Sequence, residues 1–289
     1  MKPARWLLLE LVLIAVNAAA VPVRDGPVQA ELIADVKAVA PGKPFTVAFR
    51  MAMDDHWHTY WTNPGDSGLP PSLDWTLPEG FRAGELQHPP PIALPTPPFM
   101  TYGHEGDVLF LVTMTPPAKW NEDRITLRAE ADWLVCRELC VPGYAALELE
   151  LPVQPDGPRP DPVAAARIEQ ARAGLPADPD GWQFHARQTP DRYRLHVLPP
   201  EQEPATNPTA AFFPYSARII RHAAPQDVQS EGRGFVLDLA PLSPGLPGPD
   251  RLSGLLVLTR ESGRQALRID IPFSKADPPW LSNPERKAP

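Results

Sequence analysis

Proline constrains this chain more than any other residue type, because 41 of its 289 residues are proline, whereas an average protein contains about 5%. A proline has no backbone N–H to donate and cannot continue a helix. Inside a sheet it is confined to edges, strand starts and bulges. Long helices are therefore excluded, and the composition predicts a mainly β fold of many short strands.

Alternating apolar and polar residues predict the strands of a first domain, residues 28–153. Phe45 to Met53 alternate with a period of two, as half-buried strands do. The same pattern recurs around Trp75 and in residues 125–131 and 147–151. Turn-forming clusters, such as Asn63-Pro64-Gly65-Asp66, separate these segments. Short strands at this spacing predict a β-sandwich.

A linker and a second domain follow. Residues 154–180 begin with a run of prolines that predicts a stiff spacer, and continue with an alanine-rich stretch that predicts one short helix. Residues 181–273 again alternate and predict a second β-sandwich domain, which contains no cysteine. We expect residues 274–289 to form a disordered tail.

The first twenty residues have the three parts of a secretory signal peptide. Lys2 and Arg5 are basic, residues 7–16 are apolar, and Ala18 to Ala20 form a small-residue cleavage site. We therefore expect export, and a periplasmic location for the mature chain.

Charge and motifs exclude several classes of function. The formal net charge is −8 and no basic stripe is present, which argues against nucleic acid as a partner. The sequence also has no phosphate-binding loop or nucleotide fingerprint. No cofactor is predicted.

The only two cysteines, Cys136 and Cys140, are four residues apart. On one straight strand their Cα atoms would be roughly 13 Å apart, whereas a disulfide requires about 4.4–6.8 Å. Residues 137–139 must therefore turn if the cysteines are bonded. A helical turn would serve, but the strand patterns on both sides favour a hairpin.

The short spacing bears on the role of such a disulfide. In the chain-entropy model a loop of about five residues contributes roughly 2 kcal/mol, and a loop of about 100 residues nearly 5 kcal/mol. A protein of this size gains little from so short a cross-link, which favours thiol–disulfide exchange. A purely structural disulfide, common in exported proteins, remains the alternative.

Motifs around the cysteines support exchange. They are DHWHTYWTNPGDSGLP at 55–70, LDW at 73–75, LPEGF at 77–81, YGHEG at 102–106, WLVC at 133–136 and CVPG at 140–143. Together they resemble the N-terminal periplasmic domain of the thiol:disulfide interchange protein DsbD family, closest to the ScsB branch, which is associated with suppression of copper sensitivity. Residues 180–273 resemble the second β-domain of ScsB more weakly.

The resemblance implies immunoglobulin-like sandwiches and a path for electrons. A membrane-embedded thiol relay would be the electron donor and a periplasmic thioredoxin-fold disulfide protein the acceptor. Because this chain lacks the relay, the donor would be a separate protein. The resemblance implies that Cys140 enters the mixed disulfide and that Cys136 resolves it.

A loop that covers the cysteines in the family corresponds here to residues 97–103. The better-known DsbD branch has acidic residues in this loop, and this chain has none. We predict that Pro98 to Gly103 form a mobile lid, in which Phe99, Met100 and Tyr102 are long enough to cover a sulfur. A plain surface loop is the alternative.

Five aromatic residues flank the motifs: Trp57, Tyr60, Trp61, Trp133 and Tyr144. Each is either part of the sandwich core or part of a hydrophobic surround that limits access of small oxidants to the thiols.

His56 and His58 are weak candidates for copper or zinc binding, because residues i and i+2 of a strand share a face. No metal site is predicted from them. The alternatives to exchange are a copper-responsive or chaperone-like binding module with a structural disulfide, and a scaffold that has lost its relay.

Overall fold

The computed structural model describes residues 21–203, 209–246, 248–261 and 263–281. The predicted signal peptide, residues 1–20, lies outside this part. Strands dominate the described residues, and one helix, α1 (Pro162–Ala173), lies between two groups of strands. Within the described ranges no helix is long and apolar enough to cross a membrane.

Two facing sheets form the first domain, as the alternating patterns predict. One sheet has the strand order β1-β2-β4-β10-β7, and the other has the order β12-β11-β5-β9-β8, with β6 paired to β11. The strands are β1 Val23–Asp25, β2 Val28–Ala34, β3 Val36–Ala38, β4 Phe45–Met53, β5 His58–Gly65, β6 Ser72–Thr76, β7 Arg82–Ala83, β8 Ile92–Thr96, β9 Phe99–Glu105, β10 Asp107–Thr115, β11 Arg124–Cys136 and β12 Cys140–Pro152.

The core of the first domain lies between these sheets. Every second residue of β11 is buried, from Ile125 to Val135, and Leu147 to Leu151 of β12 repeat the pattern. Phe49 and Phe110 of the opposite sheet are fully buried and pack into the same cluster. Burial of each large side chain contributes about 1.5–3 kcal/mol, so the core holds the hairpin of β11 and β12 firmly in place.

One predicted turn is wrong. Asn63, Pro64 and Gly65 belong to β5, and the pairing of β5 with β9 shifts register between Tyr60 and Gly65. Gly65 has φ +84° and lies against the backbone of β9, where a Cβ would overlap Met100. The irregularity explains why turn-forming residues occur within this strand, since bulges accept proline and glycine.

The described residues of the second domain form seven strands in the order β16-β19-β20-β14-β15-β18-β17. β20 connects its two layers, because its first part pairs antiparallel with β19 and its end pairs parallel with β14. The strands are β14 Gln183–Gln188, β15 Tyr193–Leu198, β16 Thr209–Pro214, β17 Asp227–Glu231, β18 Gly234–Leu239, β19 Arg251–Arg260 and β20 Gly263–Ser274. The predicted class, mainly β with two sandwiches, is confirmed.

The expected disordered tail is ordered over its described part. Asp277 pairs with Arg187 of β14, the carbonyl of Ala276 lies 2.9 Å from a ring nitrogen of His185, and Pro278 is buried. The prediction failed because these contacts are made with residues about 90 positions earlier in the chain. Residues 282–289 lie outside the described part.

The helix is fastened to the first domain. Asp161 caps α1 by accepting hydrogen bonds from the backbone N–H groups of Val163 and Ala164. Ile168 is fully buried against Ala48 and Leu111 on the outer face of the first sheet. The segment before the helix adds β13 (Arg159–Pro160), which pairs with β3.

A separate apolar cluster joins the two domains. Trp61 of β5 and Tyr102 of β9 pack against Phe213, Leu255 and Val257 of the second domain, and all five are buried. Polar contacts accompany them, since the Asn63 side-chain amide donates to the Pro214 carbonyl at 2.7 Å. The two domains therefore contact each other through the sheet that contains β5 and β9.

Replacing Ile168 by alanine should lower the free energy of unfolding by about 2–5 kcal/mol, because it opens a cavity between α1 and the first sheet. Val163→Ala on the same helix is the control, since that side chain is 74% exposed. Chemical denaturation of both variants measures the difference. Equal effects would show that the helix does not stabilise the first domain.

Candidate functional site

The cysteines lie at the tip of the β11–β12 hairpin. The strands pair without interruption from Arg124 with Pro152 to Cys136 with Cys140. The two cysteine Cα atoms are 4.1 Å apart and the sulfurs form a disulfide. The predicted hairpin is therefore confirmed, and residues 137–139 form its turn.

The two sulfur-bearing residues differ in exposure. Cys136 is 5% exposed, and the Tyr60 hydroxyl lies against its sulfur. Cys140 and the three turn residues are exposed, and Leu139 is 78% exposed. A protein thiol that approaches this tip from solvent therefore meets Cys140 before Cys136.

A tyrosine hydroxyl contacts both sulfurs. Tyr60 of β5 donates a hydrogen bond to Cys136 Sγ at 2.7 Å, and its oxygen lies 3.4 Å from Cys140 Sγ. Burial raises the pKa of Tyr60, so the hydroxyl keeps its proton at neutral pH. Gly68 (φ +123°) packs on the ring, and a Cβ there would overlap it. Sequence reasoning placed Tyr60 only in a general aromatic surround.

Three side chains form a row across neighbouring strands beside the disulfide. His58 of β5 pairs with Cys136 of β11 on one side and with Glu105 of β9 on the other. Directly paired residues of antiparallel strands point to the same face, with Cβ atoms about 4.5–5.5 Å apart. The His58 ring also meets the Tyr60 ring edge to face at 5.5 Å.

Burial lowers the pKa of His58, and the charge of Glu105 partly opposes this effect. The imidazole is therefore neutral at pH 7. Sequence reasoning missed Glu105 altogether, although its motif lies on the strand that pairs with β5.

The other members of the predicted aromatic surround have different positions. The Arg137 guanidinium lies 5.6 Å above the Trp57 ring, so Trp57 adjoins the cysteine turn. Trp133 packs in the first core against Phe49. Trp61 lies in the interdomain cluster, and Tyr144 is 47% exposed on β12. Of the five, Trp57 and Tyr60 lie beside the cysteine turn.

The predicted lid is part of a β-hairpin, since β9 begins at Phe99 and pairs with β8. Tyr102 packs on Phe213 and His222 of the second domain, and Met100 contacts the same interdomain cluster. These two side chains therefore face the second domain and do not cover a sulfur, which corrects that part of the prediction. Phe99, 53% exposed, lies on the alternate face of the strand.

The strand argument for a metal site is also wrong. His56 lies in the turn before β5 with φ +68°, so it does not share a strand face with His58. Among the residues described, no three His, Cys, Asp or Glu side chains are grouped in a way that could hold a metal ion.

Known proteins resemble this chain in sequence and in fold. Residues 25–152 match the family model of the N-terminal domain of the thiol:disulfide interchange protein DsbD. No curated protein matches the sequence. The solved N-terminal periplasmic domain of ScsB from Proteus mirabilis is similar in fold, with a TM-score of 0.67, 15% identity, and coverage of 89% of this chain and 100% of that one.

A second solved structure, the sporulation control protein Spo0M from Bacillus subtilis, has a TM-score of 0.22 at 11% identity over 86% of this chain and 91% of its own, too low to support an argument. The family match falls on the domain that contains the disulfide, whereas the fold match extends over most of both domains. Residues 25–152, which contain the disulfide, therefore match the DsbD N-terminal domain family.

Proposed function

We propose that this chain exchanges thiols and disulfides in the periplasm, carrying reducing equivalents from a membrane-embedded thiol relay to a thioredoxin-fold disulfide protein. The family of the first domain supports thiol–disulfide interchange as the role. The observation that supports this electron path is the disulfide at a hairpin tip, in which Cys140 is exposed and Cys136 is buried.

Reduction of the chain begins at the exposed sulfur. A donor thiolate attacks Cys140 Sγ, a donor–Cys140 disulfide forms, the Cys136–Cys140 bond breaks, and Cys136 leaves as a thiolate. Tyr60 donates a hydrogen bond to that sulfur and stabilises the charge. The second thiol of the donor then displaces Cys140, so the donor ends as a disulfide and this chain gains two electrons and two protons.

Transfer of electrons to the acceptor begins from the reduced cysteine pair. The Cys140 thiolate attacks the disulfide of the acceptor, and one acceptor sulfur leaves as a thiolate. Cys136 then attacks Cys140 Sγ, re-forms the intramolecular disulfide and releases the acceptor as a dithiol. Cys140 therefore acts as the entering sulfur and Cys136 as the resolving one, in agreement with their difference in exposure.

Phe99 stays a candidate for shielding the reduced pair. It lies on the same face of β9 as Gly103, which pairs with Tyr60. Shielding is useful because reduced thiols are lost to small oxidants in an oxidising compartment.

Cys136→Ser should accumulate a mixed disulfide between Cys140 and a partner protein, because the resolving thiol is missing. Cys140→Ser is the matched variant and should trap far less, since its remaining thiol is buried. Non-reducing electrophoresis of acid-quenched periplasmic extracts, with mass spectrometry of the adduct, measures both. If Cys140→Ser is the better trap, the roles of the two cysteines are reversed.

Tyr60→Phe should raise the pKa of the Cys136 thiol in the reduced protein by about 1–2, because a hydrogen bond to a charged group is worth roughly 1.5–3 kcal/mol. Ultraviolet absorbance of the thiolate against pH, in a Cys140→Ser background, measures it. Tyr144→Phe removes a hydroxyl from an exposed ring and serves as the control. An unchanged pKa in Tyr60→Phe would show that the hydroxyl does not stabilise the thiolate.

A further inference from the structure

The resolving step requires a proton acceptor. Cys136 must lose its thiol proton before it can attack Cys140, and a free cysteine has a pKa of about 8.5, so most of it is protonated at neutral pH. Tyr60 donates a hydrogen bond to Cys136 Sγ, and its raised pKa keeps its hydroxyl protonated. It therefore cannot accept the thiol proton. Residues 97–103, which correspond to the acidic loop of the DsbD branch, contain no acidic residue that could accept the proton.

We infer that His58 is the general base for Cys136 and that Glu105 positions and tunes it; the inference rests on the proposed function. Cys136, His58 and Glu105 are direct partners on three adjacent strands, in the order thiol, imidazole, carboxylate. Side chains in such a row share one face of the sheet. The same order of groups activates nucleophilic thiols in enzymes, where a third group orients the base.

Burial and charge fit these roles. His58 is 7% exposed and its pKa is lowered mainly by burial, so the neutral, proton-accepting form is present at pH 7. The charge of Glu105 raises the pKa of His58, and so stabilises the imidazolium that forms when His58 accepts the proton. The groups that face His58 are Cys136 from β11, Glu105 from β9 and Tyr60 from its own strand.

The resolving step moves one proton and two electron pairs. Cys136 Sγ gives its proton to the imidazole and its electron pair to Cys140 Sγ, while the bond from Cys140 to the acceptor sulfur breaks. The acceptor sulfur leaves with that electron pair and takes up a proton, which the imidazolium returns directly or through water. The pair is oxidised to a disulfide and the acceptor disulfide is reduced to a dithiol.

A small aromatic disulfide that releases a coloured thiolate tests the inference on the full chain. One equivalent added to reduced protein gives a first release when Cys140 attacks and a second when Cys136 resolves the adduct. His58→Gln should slow the second release roughly 30-fold at pH 7, because only about 3% of a thiol with a pKa of about 8.5 is ionised there. Above a pH of about 8.5 the rate should recover, because the thiol ionises unaided.

His56→Gln is the matched control, because His56 lies in the turn two residues away, and it should leave both releases unchanged. A merely structural role of His58 would slow both releases and show no recovery at high pH. Equal second-release rates in His58→Gln and His56→Gln would overturn the inference.

Glu105→Gln keeps the test valid if His58→Gln fails to fold, since Glu105 is exposed. Loss of the carboxylate should lower the pKa of His58, so the acid limb of the second-release profile should move to lower pH. An unmoved limb would contradict the role of Glu105.

Mass spectrometry of the Cys136→Ser adduct separates the two proposals. If no adduct forms on Cys140, the proposed exchange is refuted. If a Cys140 adduct forms but the second release does not depend on His58, only the role of His58 as general base is refuted.

Discussion

The pairing of β11 with β12 is the constraint on which the site depends. Thirteen consecutive cross-strand pairs run from Arg124 to Cys136, and the last brings the two cysteines opposite each other. A slip of one residue would move every side chain to the other face, so the buried alternation of β11 specifies this register strongly. The core therefore holds the cysteines in bonding geometry, and the short loop adds little to stability. We therefore expect the disulfide to open and close while the strands keep their pairing.

The strand β5 connects this tip to the remainder of the molecule. His58 and Tyr60 lie on its face toward the sulfurs, whereas Trp61 lies on the other face, in the cluster shared with the second domain. The second domain, which has no cysteine, thus packs directly behind the strand that supplies the polar groups of the site. We therefore expect the second domain to support β5 through these contacts.

Local patterns predicted much of this structure, because period-two alternation and proline content are local properties. Phe45 to Met53, both strands of the cysteine hairpin and the helix ending near Ala173 all lie where the sequence predicts them. The predictions that were wrong depend on contacts between residues far apart in the sequence. Pro64 in β5 and the hairpin that begins at Phe99 are stabilised by pairing with distant strands. Contacts between Tyr102 and the second domain depend on how two domains pack, which no local pattern contains.

The difference between local patterns and long-range contacts also explains which parts of the site the sequence predicted. The cysteine spacing predicted the disulfide and the turn, since both are set by residues close in sequence. The row of Cys136, His58 and Glu105 joins residues 78 and 47 positions apart, and strand register alone brings them together. The motifs that resemble the family contain all three residues, but the resemblance does not pair their side chains.

The most direct test of the account compares the stability of the oxidised and reduced chain. If the disulfide is an exchange centre on a fold that the core stabilises, reduction should lower the free energy of unfolding by about 2 kcal/mol, the value for a loop of about five residues. Circular dichroism and denaturant titration of both forms measure this, and the spectrum of the folded state should not change. Loss of the folded spectrum on reduction would contradict the account, because the disulfide would then be a structural requirement.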